Sequence, residues 1–177
     1  VLNRPSFFKM VQFGLGTTWQ WHAGRHSLNE LTPFRLTYTK LLHTTESFDS
    51  TMNSNPAVHE SFRNQFVPML QYAYTYDRAF GRDNLTFNLQ FSEAGNVFAG
   101  IWALCGSKGE KKMLGTPFSQ FVKAQASVVY SHAVMDTHKL VGRMLIGAAH
   151  AYGNSSQVPY SEQFYIGGAN SIRAFAV

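Results

Sequence analysis

The sequence is poor in charge and has almost no cysteine. Only 14% of its 177 residues are charged, against roughly 25% in ordinary soluble domains. The lone Cys105 excludes an intrachain disulfide and a thiolate metal cluster. No apolar run reaches the length of a transmembrane helix, and the start, VLNRPSFFKM, lacks the pattern of a secretory signal. If the protein is exported, we expect its export segment to have been removed or to lie upstream.

Aromatic and uncharged polar residues take the place of the missing charges. The chain has 15 Phe and 8 Tyr, yet its mean hydropathy is −0.17, because Gln, Asn, Ser and Thr are abundant. This combination indicates strands with one apolar and one polar face. The net charge of +5 is modest. Its one cluster, at Lys108, Lys111 and Lys112, indicates a solvated loop tip, so we expect no nucleic-acid partner.

Apolar and polar residues alternate with a period of two in six segments, which predicts six strands. The clearest segment sets Leu85, Phe87, Leu89 and Phe91 against intervening polar residues. Each segment is long enough to cross a bilayer, for which a tilted strand needs about 9–11 residues. The segments are Met10–His22, Thr32–Lys40, Gln65–Asp77, Asn84–Ser92, Phe121–His132 and Lys139–Tyr152.

Short and long connections alternate between these segments. The short ones are predicted around Ala23–Glu30, Arg78–Asp83 and Val134–His138. The long ones are Leu41–Asn64 and Glu93–Pro117, and Asn55-Pro56 predicts a short helix within the first. Short turns on one side and long loops on the other are typical of outer-membrane barrels.

Aromatic residues give a second indication of a membrane barrel. If the short turns share a side, a group of Trp and Tyr falls at one height, as at a membrane–water interface: Trp19, Trp21, Tyr74, Tyr76 and Tyr130. This favours a membrane barrel over a soluble β-sandwich binding module, which stays open as an alternative. Six strands are too few to close a barrel, because the smallest outer-membrane barrels have about eight. We therefore expect the chain to be a fragment.

No motif indicates catalysis, so we expect no enzymatic activity, no cofactor and no metal. Gly14-Leu15-Gly16 lies inside an alternating strand, and GSKGEKK lacks the ending of a phosphate loop. HESFR has no second His for zinc, and no Gly-x-Ser-x-Gly elbow is present.

The C-terminal stretch PYSEQFYIGGANSIRAF carries a specific resemblance. It is similar to the lumen-loop motif of the BamA/TamA outer-membrane assembly factors (the bacterial surface antigen family). Ala174 stands where most members have Gly, and NPAVHESFRNQF and GTPFSQFVKAQASVVY resemble the TamA-like branch. The residues that carry the motif are Glu162, Phe164, Gly167, Gly168, Asn170, Ser171, Arg173 and Phe175.

The resemblance implies an all-β fold: an antiparallel transmembrane β-barrel segment of about six strands, roughly the sixth to eleventh, from a sixteen-stranded barrel. Residues 1–177 would be a partial barrel domain whose motif loop, 153–177, enters the lumen. Arg173 would there meet polar side chains of the wall. Candidates within the chain are Gln90, Gln125 and Ser127.

The implied function is insertion or translocation of proteins at the bacterial outer membrane, by strand templating at a barrel seam. The implied partners are outer-membrane lipid, unfolded outer-membrane protein clients, and periplasmic or inner-membrane accessory subunits. A passive pore or a two-partner secretion transporter, which would share the barrel and the motif, stays open. A lipase domain fused upstream would be the enzyme alternative.

Overall fold

One antiparallel sheet dominates the computed structural model, which describes residues 2–4, 7–104, 112–113, 115–135 and 137–164. Its seven strands follow one another in chain order, and within the described ranges its two edge strands do not pair with each other. The predicted all-β, antiparallel fold is confirmed. The strands are β1 (Leu2–Arg4), β2 (Phe8–Gly24), β3 (Ser27–Thr44), β4 (Gln65–Phe80), β5 (Asp83–Ala94), β8 (Phe121–Met135) and β9 (His138–Ala151), while β6 (Lys112–Met113) and β7 (Thr116–Pro117) form a separate small ribbon.

The long connections contain helices. The first holds α1 (Glu46–Ser54) and α2 (Pro56–Phe62), and the second holds α3 (Asn96–Leu104). The helix predicted at Asn55-Pro56 is confirmed as α2: the Asn55 side chain accepts hydrogen bonds from the backbone N–H groups of Ala57 and Val58, which satisfies two free donors of the first turn. None of the described helices is long and apolar enough to cross a membrane.

The predicted short connection between the first two strands is confirmed, but its range Ala23–Glu30 is too wide, because β2 and β3 meet at a tight turn over residues 25–26. The cause lies at Pro33. The pairing of β3 with β4 shifts between Thr32 and Arg35, which leaves one extra residue in β3. This bulge changes the phase of the alternation, and so conceals the first part of β3 in the sequence.

The two faces of the sheet differ as the alternation predicts. Directly paired residues share a face, so the register places Gln90 and its partner Gln125 on one side. Leu89 and its partner Ala126 lie on the other. We call the face of Arg35, Gln90 and Gln125 the inner face, and the opposite face the outer face. The outer face is apolar and exposed at Phe13, Leu15, Trp19, Leu89, Phe91, Met144 and Ile146.

No second sheet covers the outer face within the described part of the chain, where only the two-residue strands β6 and β7 lie outside the main sheet. A β-sandwich buries the apolar faces of two sheets against each other. The described fold therefore favours the barrel segment over the sandwich alternative.

The hairpin ends are staggered along the sheet. Ser27, where the first hairpin turns, pairs with Tyr76, four residues before β4 ends. Asp83, where the second hairpin turns, pairs with His132, three residues before β8 ends. A consistent displacement of this kind is what the tilted strands of a barrel wall require.

The aromatic residues follow the same stagger. Trp21, Tyr76 and Tyr130 lie three, four and five residues before the ends of β2, β4 and β8. They therefore stay close to one height relative to the turns, as an interfacial belt requires.

Helices α1 and α2 pack over the inner face at the long-loop end. Phe8 and Met10, which share the face of Gln12 on β2, form a buried cluster with Phe48 of α1 and Phe62 of α2. The Phe8 ring lies 4.9 Å from the Phe62 ring and 5.3 Å from the Phe48 ring, centroid to centroid. The inner face is thus apolar and covered at this end, and polar further along the strands.

Candidate functional site: a loop docked on the inner face

Residues 153–164, the described part of the predicted motif loop, follow β9 and turn back onto the inner face. The turn is made at Gly153, whose φ of 61° is in the left-handed region that glycine adopts without steric cost. Any Cβ there would lie 2.6 Å from Oε1 of Gln120. The same Oε1 accepts a hydrogen bond of 2.9 Å from the backbone N–H of Asn154, and the Asn154 side chain donates to the carbonyl of Phe118.

The middle of the loop rests on apolar side chains. Tyr160 stacks on Phe62 with ring centroids 4.3 Å apart, and meets Phe8 edge-on at 5.6 Å. Val158 packs against a second buried cluster on the inner face, formed by Val67, Met69, Ala94 and Phe121. These contacts bury apolar surface of the loop and the wall together, which is the main source of docking free energy.

The last described residues of the loop place an acid against a basic wall. Glu162 Oε1 lies 3.4 Å from Nη2 of Arg35 on β3, and Lys123 Nζ on β8 donates a 2.7 Å hydrogen bond to the Glu162 backbone carbonyl. The Glu162 side chain is only 17% exposed, the Arg35 side chain 38%. Burial raises the pKa of Glu162, and the charges of Arg35 and Lys123 oppose that rise. The wall therefore only partly compensates the loss of hydration of the carboxylate.

Phe164 occupies a place that Gly147 leaves open. A Cβ at Gly147, on β9, would lie 2.6 Å from Cζ of the Phe164 ring, so the ring covers bare backbone. Lys123 Nζ lies 4.7 Å from the ring centroid, within the range of a cation–π contact. Lys123 thus holds both the backbone of Glu162 and the ring of Phe164.

Helix α2 is joined to the same loop. Gln163 Nε2 donates a hydrogen bond of 3.0 Å to the Ser61 hydroxyl and one of 2.9 Å to the Val158 carbonyl. Arg63, directly after α2, donates a 3.2 Å hydrogen bond from Nη2 to the Asn154 carbonyl. The helix predicted in the first long connection and the motif loop therefore form one packed unit.

Two of the predicted motif residues fall within the described part of the chain, and both contact the wall: Glu162 and Phe164. The predicted partners Gln90, Gln125 and Ser127 do lie on the inner face. Whether they meet Arg173 stays a prediction, since Arg173 is outside the described residues. So are Gly167, Gly168, Asn170, Ser171 and Phe175, whose roles also stay predictions.

Sequence reasoning missed Arg35, Lys123 and Gly147. A partial signal is present in the sequence, because Arg35 and Lys123 are cations at polar-face positions of their strands, and a charge that is not fully hydrated calls for a partner. Gly147 gives only a general signal. A glycine inside a strand indicates that another group approaches the backbone closely, but it does not identify that group as Phe164.

A family model described as the Omp85 superfamily domain matches residues 3–177. The matched range includes the strands from β2 onward and the whole motif loop. No curated protein matches the chain.

Proposed function

Since the chain belongs to the Omp85 superfamily, a family of outer-membrane protein insertion and translocation, we propose that it forms part of the barrel wall of such a factor in the bacterial outer membrane. Family members reside in that membrane and act on unfolded clients with accessory subunits. The exposed apolar outer face supports this placement, because lipid is the solvent that suits it. The proposed role is not enzymatic and requires no cofactor.

The docked loop is the observation that carries the mechanistic part of the proposal. It connects β3 through Arg35, β8 through Lys123 and β9 through Gly147. Strands β4 and β5 lie between β3 and β8 in the sheet, so the loop crosses the inner face of the wall from β3 to β9, and we call it the brace. A wall held in this way resists changes of curvature.

This brace suits strand templating. An unpaired or weakly paired strand edge offers backbone hydrogen bonds to an incoming strand. We propose that the braced segment stays rigid while the barrel opens at a seam elsewhere, so that a client strand adds to the seam alone. The TamA-like branch, the identity of clients and the accessory subunits remain part of the proposal.

The test uses the full-length protein in vesicles of phosphatidylethanolamine and phosphatidylglycerol. A urea-unfolded outer-membrane barrel is added, and its folding is followed by its heat-modifiable gel migration. We expect faster client folding than in protein-free vesicles. Unchanged client folding together with ion conductance through the same vesicles would contradict the proposal and support the pore alternative.

A further inference from the structure

Helix α3 lies on the outer side of the sheet, opposite to α1 and α2. The Phe98 ring of α3 is 6.5 Å from the ring of Phe34, which shares the outer face with its neighbour Leu36 on β3. A groove between α3 and the wall is lined by further outer-face side chains, including Pro68 and Leu70. The helix of the second long connection therefore lies over the outer face, whereas the helices of the first lie over the inner face.

The nine residues of α3, NVFAGIWAL, include no charge. One side of the helix, with Phe98, Ala99 and Trp102, is half-buried toward the wall. The other side carries a stripe of apolar residues that are 59%, 53% and 90% exposed: Val97, which also borders the groove, Ile101 and Leu104. Their spacing of four and then three residues places them on one helix face.

A helix that is apolar on all sides is normally buried, yet no residue of α3 is buried. Polar side chains would be expected on its far side if that side met water. By contrast α1, ESFDSTMNS, shows mostly polar residues to the surroundings and buries only Phe48. Helices α1 and α3 lie at the same end of the sheet. The exposed side of α1 is polar and suits water, whereas the exposed side of α3 is apolar and suits lipid.

The exposed stripe continues the apolar outer face. Leu89 and Phe91 are exposed in the second half of β5, the strand that leads into α3. Glu93 follows them and lines the groove beneath α3, where its Oε2 is shielded from solvent. Glu93 therefore marks the limit of the apolar band of the outer face at the long-loop end, and α3 begins at the same height.

We propose that α3 lies in the membrane interface, with Val97, Ile101 and Leu104 among the acyl chains of the leaflet at the long-loop end. The inference rests on the proposed outer-membrane placement of the sheet. Helices that lie in the interface bury one apolar side at the boundary between head groups and acyl chains. The helix would fix the height of this loop against the lipid.

The test places one spin label at a time in the full-length protein, with Cys105→Ser and any further native cysteines also replaced by Ser. Labels are attached at Ile101→Cys, at Leu89→Cys on the outer face, and at Asn53→Cys on exposed α1. The protein is reconstituted into vesicles of phosphatidylethanolamine and phosphatidylglycerol. Collision of each label with dissolved oxygen, which concentrates in lipid, is compared with collision with a water-soluble nickel chelate.

We expect the ratio of oxygen to chelate collisions at Ile101 to resemble that at Leu89 and to exceed that at Asn53. A ratio like that of Asn53 at Ile101, with Leu89 still in lipid, would overturn the inference alone. Protection of Ile101 from both reagents would also overturn it, because a protein surface would then cover the helix. An aqueous ratio at Leu89 itself would instead contradict the proposed membrane placement.

Discussion

Glu162 Oε1 lies 3.4 Å from Arg35 Nη2, although the two residues are 127 positions apart in the chain. The contact joins the start of the motif loop to the third strand of the sheet, and the loop is held there by an acid on a basic wall. Because Glu162 is mostly buried and Arg35 is partly exposed, the hydration that the carboxylate loses is only partly compensated. Docking should therefore depend on its protonation.

The pH dependence of docking has a defined sign. Burial raises the docked-state pKa of Glu162 above its ordinary value of 4.5, so the docked loop binds more protons than the free loop. The contribution of Glu162 to docking is fully present below pH 4.5 and declines as the pH rises through the raised pKa. Hydrogen exchange of amides 152–164, corrected for intrinsic rates, should show protection that falls over this range.

Glu162→Gln is the matched variant for that measurement, because it keeps the shape and removes the titration. We expect its protection to be flat over the same pH range. Wild-type protection that increases with pH, or a slope that survives in Glu162→Gln, would show that the carboxylate is not desolvated in the docked loop.

The ion pair itself should couple its two residues weakly. A double-mutant cycle with Arg35→Met and Glu162→Gln, measured by unfolding of the full-length protein, should give about 0.2–1 kcal/mol, because Arg35 is 38% exposed and solvent screens such pairs. A coupling of several kcal/mol would indicate a fully buried pair, and no coupling would indicate that burial and Lys123 alone hold Glu162.

Two glycines of β9 offer a matched pair for the Phe164 contact. Gly147→Ala places a methyl group against the Phe164 ring, whereas a Cβ at Gly142 meets nothing within 4 Å. The ring can swing aside, so we expect Gly147→Ala to cost about 1 kcal/mol of loop docking, at the lower end for overpacking. Gly142→Ala should change it by less than about 0.5 kcal/mol. Equal protease sensitivity of the loop in both variants would count against the contact.

Gly95, between β5 and α3, should tolerate substitution least. Its φ of 79° is strained for other residues, and a Cβ would lie 2.3 Å from the Ser119 carbonyl oxygen, which is backbone and cannot move away easily. Gly81, with a φ of 61° and open space around it, has only the conformational cost of about 1 kcal/mol. Gly95→Ala should therefore lower the unfolding midpoint in urea clearly more than Gly81→Ala. Similar midpoints would indicate that the close approach is relieved at little cost.

The sheet could be predicted from the sequence because apolar and polar residues alternate along each strand. Leu85 to Phe91 shows the period directly, and both neighbours of that strand show it too. The predicted connection at 23–30 was too long, because the bulge at Pro33 shifts the phase of the alternation in the first part of β3. It also missed α1, whose preceding Thr45 makes no side-chain cap, and α3, whose uniformly apolar sequence has no helical period to detect.

The candidate site was predictable only in its local part. The motif pointed to Glu162 and Phe164 because they are close together in the sequence. Arg35, Lys123 and Gly147 come together only through the strand register, and a register is not encoded at any single position. The signs of the charges were also not predicted. The prediction placed a cation of the loop, Arg173, against the wall, whereas the described part of the loop places the acid Glu162 against Arg35 and Lys123 of the wall.

The most direct test of the account compares two adjacent positions of β5. Leu89 is on the outer face and Gln90 on the inner face, so Leu89→Lys puts a charge toward lipid and Gln90→Lys puts the same charge toward the barrel interior. Folding of the full-length protein into phospholipid vesicles should be about 2–4 kcal/mol less favourable for Leu89→Lys if residue 89 lies near the bilayer centre. Gln90→Lys should change it little. Equal costs at both positions, or a larger cost at Gln90, would contradict a lipid-facing outer surface.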